Sequence, residues 1–150
     1  MLALLRSRNQ KPVSFPRLSR GELIRLTKAF LVVAGLRLAL LLLPYPTIRK
    51  LIPLRLAPNR VGDAPRRVPW RVSTVARLIP GATCLTQALA TQLLLARAGH
   101  TSQIRIGVAK GDSGNLAAHA WVVIDETVLI GGSPAEIGGY TVLTELGLPS

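Results

Sequence analysis

Pro80-Gly-Ala-Thr-Cys84-Leu-Thr-Gln-Ala-Leu-Ala-Thr-Gln-Leu-Leu-Leu-Ala-Arg-Ala-Gly99 is the stretch that decides the fold. From Cys84 to Ala98 it contains neither Gly nor Pro and is dominated by Leu and Ala, so a helix is predicted there, opened after Pro80-Gly81 and stopped by Gly99. Three strand candidates follow: 102–108, 118–124 and 127–130. Lys110-Gly-Asp-Ser-Gly-Asn supplies the first loop between them, and Asp125-Glu126 a tight turn. Helices first and an antiparallel meander afterwards is an α+β order rather than an alternating α/β one.

The same helix carries the chemistry. Cys84 is the only cysteine of the chain, and it stands at the predicted first turn. A thiol attacks as thiolate, and helix N-terminal N–H groups favour that anion. His119, one of two histidines, opens the segment His-Ala-Trp-Val-Val-Ile, where a rigid strand can aim its ring. Such partners meet in the fold rather than along the chain, so a separation of 35 residues is no obstacle. Taken singly, each residue has a plainer reading: Cys84 as a small buried hydrophobe and His119 as a surface or satisfied core group.

Working outward, the chain of 150 residues suffices for one domain with a real core. A hydrophobic fraction of 49% and a mean hydropathy of +0.37 exclude a disordered chain. A lone cysteine excludes an intramolecular disulfide and a Cys-rich zinc site, which points to a reducing cytoplasm. Neither a P-loop nor a Gly-x-Gly-x-x-Gly fingerprint is present, and no cofactor is expected. The net charge of +12 is unevenly spread: residues 1–80 hold 16 Lys/Arg against Glu22 and Asp63, whereas 81–150 hold three against five acids. Basic surface attracts nucleic acid, anionic lipid or acidic partners. With 4% aromatic residues and no nucleic-acid motif, nucleic acid is the poorest fit of the three.

Ser19-Arg-Gly-Glu22 has capping-box spacing and announces a helix over about 20–43. Its second half, Ala29–Leu43, is apolar on nearly every side. A membrane span needs roughly 20 such residues; this run is shorter and contains Arg37, so it reads as a helix buried in protein or lying on a membrane surface. Pro44 and Pro46 end it, a short helix is expected over 47–56, and another over 70–79. The Pro/Gly/Arg-rich stretch 58–69 reads as a linker, dividing a basic helical module (1–57) from a core (70–150). From Gly131 onward a loop and an irregular tail are expected.

A helix beginning with Cys, then a strand, then His-Ala-Trp at a strand start is the plan of papain-like and transglutaminase-like cysteine enzymes. The segments Cys84-Leu-Thr-Gln-Ala-Leu-Ala, Leu93-Leu-Leu-Ala-Arg-Ala-Gly99, Ile104-Arg-Ile-Gly107-Val, Ala118-His119-Ala-Trp-Val and Val128-Leu-Ile-Gly-Gly132 together resemble the leader peptidases of lasso-peptide biosynthesis, over about residues 18–145. The resemblance implies a papain/transglutaminase-like core, with a catalytic helix on a small antiparallel sheet behind an N-terminal helical module. It also implies a Cys84 nucleophile, a His119 general base and acid, and removal of the leader from a ribosomally made precursor peptide. The implied partners are that precursor, a separate small leader-recognition protein (the chain matches the split form of the family) and an ATP-dependent lasso cyclase, with peripheral membrane contact through Ala29–Leu43 left open. Arg60, Arg66 and Arg67 are candidates for docking an acidic partner.

The family's third catalytic residue is an Asp about a dozen residues past the His, a place held here by Gly131-Gly132. Asp125 is the nearest acid and the candidate third member. A hairpin turning at Asp125-Glu126, however, puts His119 opposite Gly132 and Asp125 about 20 Å up the strand at 3.3 Å per residue. A backbone carbonyl, Ser133 or a partner's acid are the alternatives as orienter. A non-catalytic scaffold or adaptor, and a thiol acyltransferase on the same fold, remain as other functions.

Overall fold

The computed structural model describes residues 18–51 and 64–147. In chain order the elements are α1 (Arg20–Leu42), α2 (Tyr45–Leu51), α3 (Arg67–Ala76), α4 (Cys84–Arg97), β1 (Gln103–Lys110), β2 (Leu116–Ile124), β3 (Thr127–Ile130), α5 (Pro134–Ile137) and β4 (Thr141–Leu146). The fold is α+β: helices layered on one four-stranded antiparallel sheet of order β3-β2-β1-β4.

Helix α4 is central, packing against β1, β2 and β3 on one side and against α1 and α3 on the other. It starts because the Thr83 hydroxyl accepts the Thr86 N–H, and it ends where Gly99 takes φ +86°. With neighbours on both sides it buries almost every face, from Thr86 to Ala96, and its lack of amphipathicity follows from that position. One core joins Ala29, Val33 and Leu36 of α1 to Val72 of α3, Leu95 of α4 and Val122 of β2. Buried side chains of α1 and of the later elements thus meet in one interior. The expected linker, 58–69, is described only in part. Residues 58–63 lie outside the described residues, but Arg67, Val68 and Pro69 already belong to α3, with Val68 and Pro69 buried. Proline is tolerated there because the first turn of a helix lacks intrahelical acceptors for its N–H groups.

Arg37, the charge within the apolar run, has a defined destination. Its guanidinium lies against Gly81, where an added Cβ would collide with it, and its Nε donates to the Pro80 carbonyl at 3.4 Å. Ser19 caps α1 as expected, its hydroxyl accepting the Glu22 N–H at 3.2 Å. Glu22 itself is drawn away to Arg71 of α3, which reaches it at 2.6 Å and 3.0 Å, so this half of the expected box ties two helices together. No described helix is long and apolar enough to cross a membrane.

The sheet extends beyond the expected meander. Asp125 and Glu126 form the β2–β3 turn with φ of 46° and 63°, the twin left-handed residues of a tight hairpin turn. Arg105 of β1 holds Glu126 through both carboxylate oxygens and Glu145 of β4 at 2.8 Å, a clamp across the sheet. Residues 131–146, expected as loop and irregular tail, instead form α5 and β4. The chain leaves one edge of the sheet at β3 and returns at the other edge, pairing β4 with β1.

Candidate active site

Cys84 occupies the first position of α4. The N–H groups of Cys84 and Leu85 precede any intrahelical acceptor, and they are the donors an oxyanion or thiolate would meet at this terminus. Gln87 braces the approach, its Nε2 donating to the Ala82 carbonyl at 3.1 Å. The thiol is free and half-buried, packed against the core.

His119 lies in β2, opposite Gly107 of β1. Its level relative to Cys84 follows from the packing of α4. Gln92 Nε2 donates to the Ser102 carbonyl, just before β1, at 3.3 Å and to the Leu146 carbonyl, ending β4, at 2.8 Å. Cys84 stands eight residues before Gln92, about 12 Å along a helix rising 1.5 Å per residue. Gly107 stands five residues after Ser102, about 17 Å along a strand. Both spans run from that tie toward the same end of the sheet, the end where Cys84 and the Gly107–His119 pair lie. Alternation assigns their sides. Ala120 and Val122 belong to the core shared with the helices, so His119 and Trp121 share the other row of β2. The imidazole is thus supported from the face away from α4, and among the described residues no hydrogen bond joins it to Cys84.

That support is specific. His119 Nε2 meets the carbonyl oxygen of Gly131 in a short hydrogen bond. A carbonyl only accepts, so Nε2 carries a proton, and in the singly protonated tautomer Nδ1 is the acceptor. Trp121 stacks at 6.2 Å between ring centroids and Tyr140 packs at 5.4 Å. Gly107 lets Trp121 lie across β1, since a Cβ there would stand 2.9 Å from its ring. Gly131, at φ +106°, crosses directly over β2: an added Cβ would come within 2.5 Å of Trp121 Cβ and 2.8 Å of the Ala120 carbonyl.

Asp125, the candidate third member, sits in the hairpin turn, six residues along β2 from His119. The Gly131 carbonyl occupies the orienting position instead, so of the alternatives weighed it is a backbone carbonyl that touches the ring. The expected pairing of His119 with Gly132 is displaced because the β2–β3 register shifts between Val122 and Val123, and β3 ends at Ile130. Sequence reasoning missed Tyr140 and Glu136. Glu136 closes a capping box with Ser133: the Ser133 N–H donates to its Oε2 at 2.6 Å and its own N–H donates to the Ser133 hydroxyl at 3.3 Å. These bonds, with the nearby His119 adding, hold its carboxyl below the usual carboxylate range. The signal was present in Ser133-Pro-Ala-Glu136, the same spacing that marked α1.

Among the described residues no group of His, Cys, Asp and Glu is placed to hold a metal. A family model described as Transglutaminase-like superfamily matches residues 29–145. No curated protein and no solved structure matches the chain.

Proposed function

Since the chain belongs to the Transglutaminase-like superfamily, we propose that it is a cysteine peptidase that removes the leader from a ribosomally made precursor in lasso-peptide biosynthesis. The observation that carries the peptidase reading is the place of the sole thiol, Cys84 at the first position of a capped helix. In the reaction, Nδ1 of His119 takes the Cys84 proton and Sγ bonds to the scissile carbonyl carbon. The C–N bond then breaks as the imidazolium protonates the leaving amine, and water attack on the thioester releases the leader acid and restores the thiol. The structure places the ring on the face of the sheet away from α4, so this transfer requires β2 to turn His119 toward the thiol. The freed α-amino group is what an ATP-dependent cyclase would join to an acidic side chain.

The lasso assignment rests on the five segments that resemble that family's leader peptidases. Specificity comes from a separate leader-recognition protein, with Arg66 and Arg67, exposed at the start of α3, as docking cations. Ala29–Leu43 gives the protein a peripheral membrane contact within the cytoplasm; the exposure of Leu31, Leu38 and Leu42 supports this. Cleavage of a precursor by purified protein, with and without the recognition protein, is the test. Cys84→Ala should abolish cleavage with the fold intact, and cleavage retained in that variant would sink the reading.

A second reading has its own observation. With no hydrogen bond between Cys84 and His119 and a glycine carbonyl in place of an acid, the domain fits a non-catalytic scaffold that binds the precursor without cutting it. Binding with no cleavage in the presence of the recognition protein would select it. A thiol acyltransferase would share every step to the thioester and differ only in the amine that accepts the acyl group.

A further inference from the structure

The segment between β3 and β4 touches His119 at both ends. At its start the Gly131 carbonyl receives Nε2–H, and at its finish Tyr140 packs on the ring. Between them lie Gly132, at φ +120°, and the Ser133–Glu136 box. Two consecutive left-handed glycines have no side chains to fix their carbonyls, so the direction of the Gly131 carbonyl depends on what anchors the residue after them. That anchor is the Ser133 N–H held at 2.6 Å by Glu136, whose Oε2 also lies 3.2 Å from where a Gly132 Cβ would be.

We propose that Glu136 and Ser133 are positioning residues for His119, with Glu136 the acid that serves the imidazole indirectly, through the Gly131–Ser133 turn. The inference rests on the reading of His119 as general base. Two effects are separable. The hydrogen bond to the Ser133 N–H aims the Gly131 carbonyl, and glutamine can supply it as well as glutamate, since either residue completes a capping box. Charge is the second effect: the nearby His119 helps to hold the Glu136 carboxyl ionised, and glutamine lacks that charge.

The experiment compares Glu136→Gln, Glu136→Ala and Ser133→Ala with wild type in the full chain. Imidazole nitrogen shifts of ¹⁵N-histidine protein, assigned by loss of the signal in His119→Ala, report the tautomer without any substrate. Wild type and Glu136→Gln should show the Nε2–H form predominating, while Glu136→Ala should lose that predominance and Ser133→Ala lose part of it. On a cleaved precursor, Glu136→Ala should lower kcat about tenfold with KM nearly unchanged, the pattern of a lost transition-state interaction. Glu136→Gln should recover most, but not all, of that loss. A box that merely stabilises α5 predicts a lower Tm in Glu136→Ala with tautomer and kcat unmoved, and that result overturns the inference. Tautomer changes as expected in a protein that cleaves nothing would instead uphold the positioning and reject the peptidase reading.

Discussion

Helices α1 and α4 are built from the same letters and live in different surroundings. The second half of α1 and the whole of α4 are Leu- and Ala-rich, with few charges to mark an outer face. Helix α4 lies between the sheet and the other helices and buries almost its whole circumference, whereas α1 buries only the strip of Ala29, Val33 and Leu36. Its far side leaves Leu31 63%, Leu38 57% and Leu42 73% exposed. An all-round apolar sequence thus says that a helix has few water-facing duties, without saying what covers it.

The contrast can be broken by mutation, and the largest effect is expected in α4. Leu95 is fully buried, so Leu95→Ala should cost about 3–5 kcal/mol, the range for deleting a large aliphatic group from a packed core. Urea unfolding measures it; a loss under 1 kcal/mol would mean that α4 is not the centre of the core. Next comes the tie that holds α1 to the rest. Arg71 is 4% exposed and pairs with Glu22, which among the described residues would keep only Arg25 at 3.9 Å, so Arg71→Ala should cost about 2 kcal/mol. The hydrogen bond from Arg71 lowers the Glu22 pKa, against some opposing desolvation. A depressed folded-state pKa contributes stability that is full above the unfolded Glu value near 4.3 and lost as pH falls through the folded value. The variant should lack that acid-side loss, and parallel pH profiles for both proteins would contradict the assignment.

Gly131→Ala should follow, at about 2 kcal/mol, from a side chain forced to φ +106° against Trp121. Its sharper readout is loss of the His119 tautomer preference, since the carbonyl must move. The smallest change belongs to the open side of α1. Leu31→Ala and Leu38→Ala should each shift stability by less than about 0.5 kcal/mol while reducing self-association in light scattering. A core-sized loss at either position would show that this face is covered in the protein's working state.

Much of this was legible. The gap between Pro80-Gly81 and Gly99 framed α4 to within a residue, and β2 and β3 followed from apolar runs split by a turn at Asp125-Glu126. Cys84 was placed at its helix start by the absence of breakers after it. What escaped depended on long-range partners. Thr141–Leu146 is exposed along most of its length, so no burial pattern marked β4; its order comes from pairing with β1 and from Glu145 on Arg105. Ser19-x-x-Glu22 and Ser133-x-x-Glu136 have identical spacing, yet only the second closes a full box, because Arg71 competes for the first glutamate. The orienter of His119 is a main-chain atom, which no side-chain pattern can announce.

The path from β3 to β4 also fixes when the site can come into being. Cys84 and its helix precede the sheet in the chain, but the carbonyl that fixes the His119 ring belongs to Gly131, and Tyr140 and β4 come later still. As the chain emerges from the ribosome at about 5–20 residues per second, the Cys84 thiol exists before the His119 ring is fixed. Pairing β4 with β1, across the intervening α5 crossing, is among the last contacts able to form. A nascent or C-terminally interrupted chain would therefore hold the Cys84 thiol without a fixed His119 ring, and the proposed peptide cleavage would arrive only with the completed sheet.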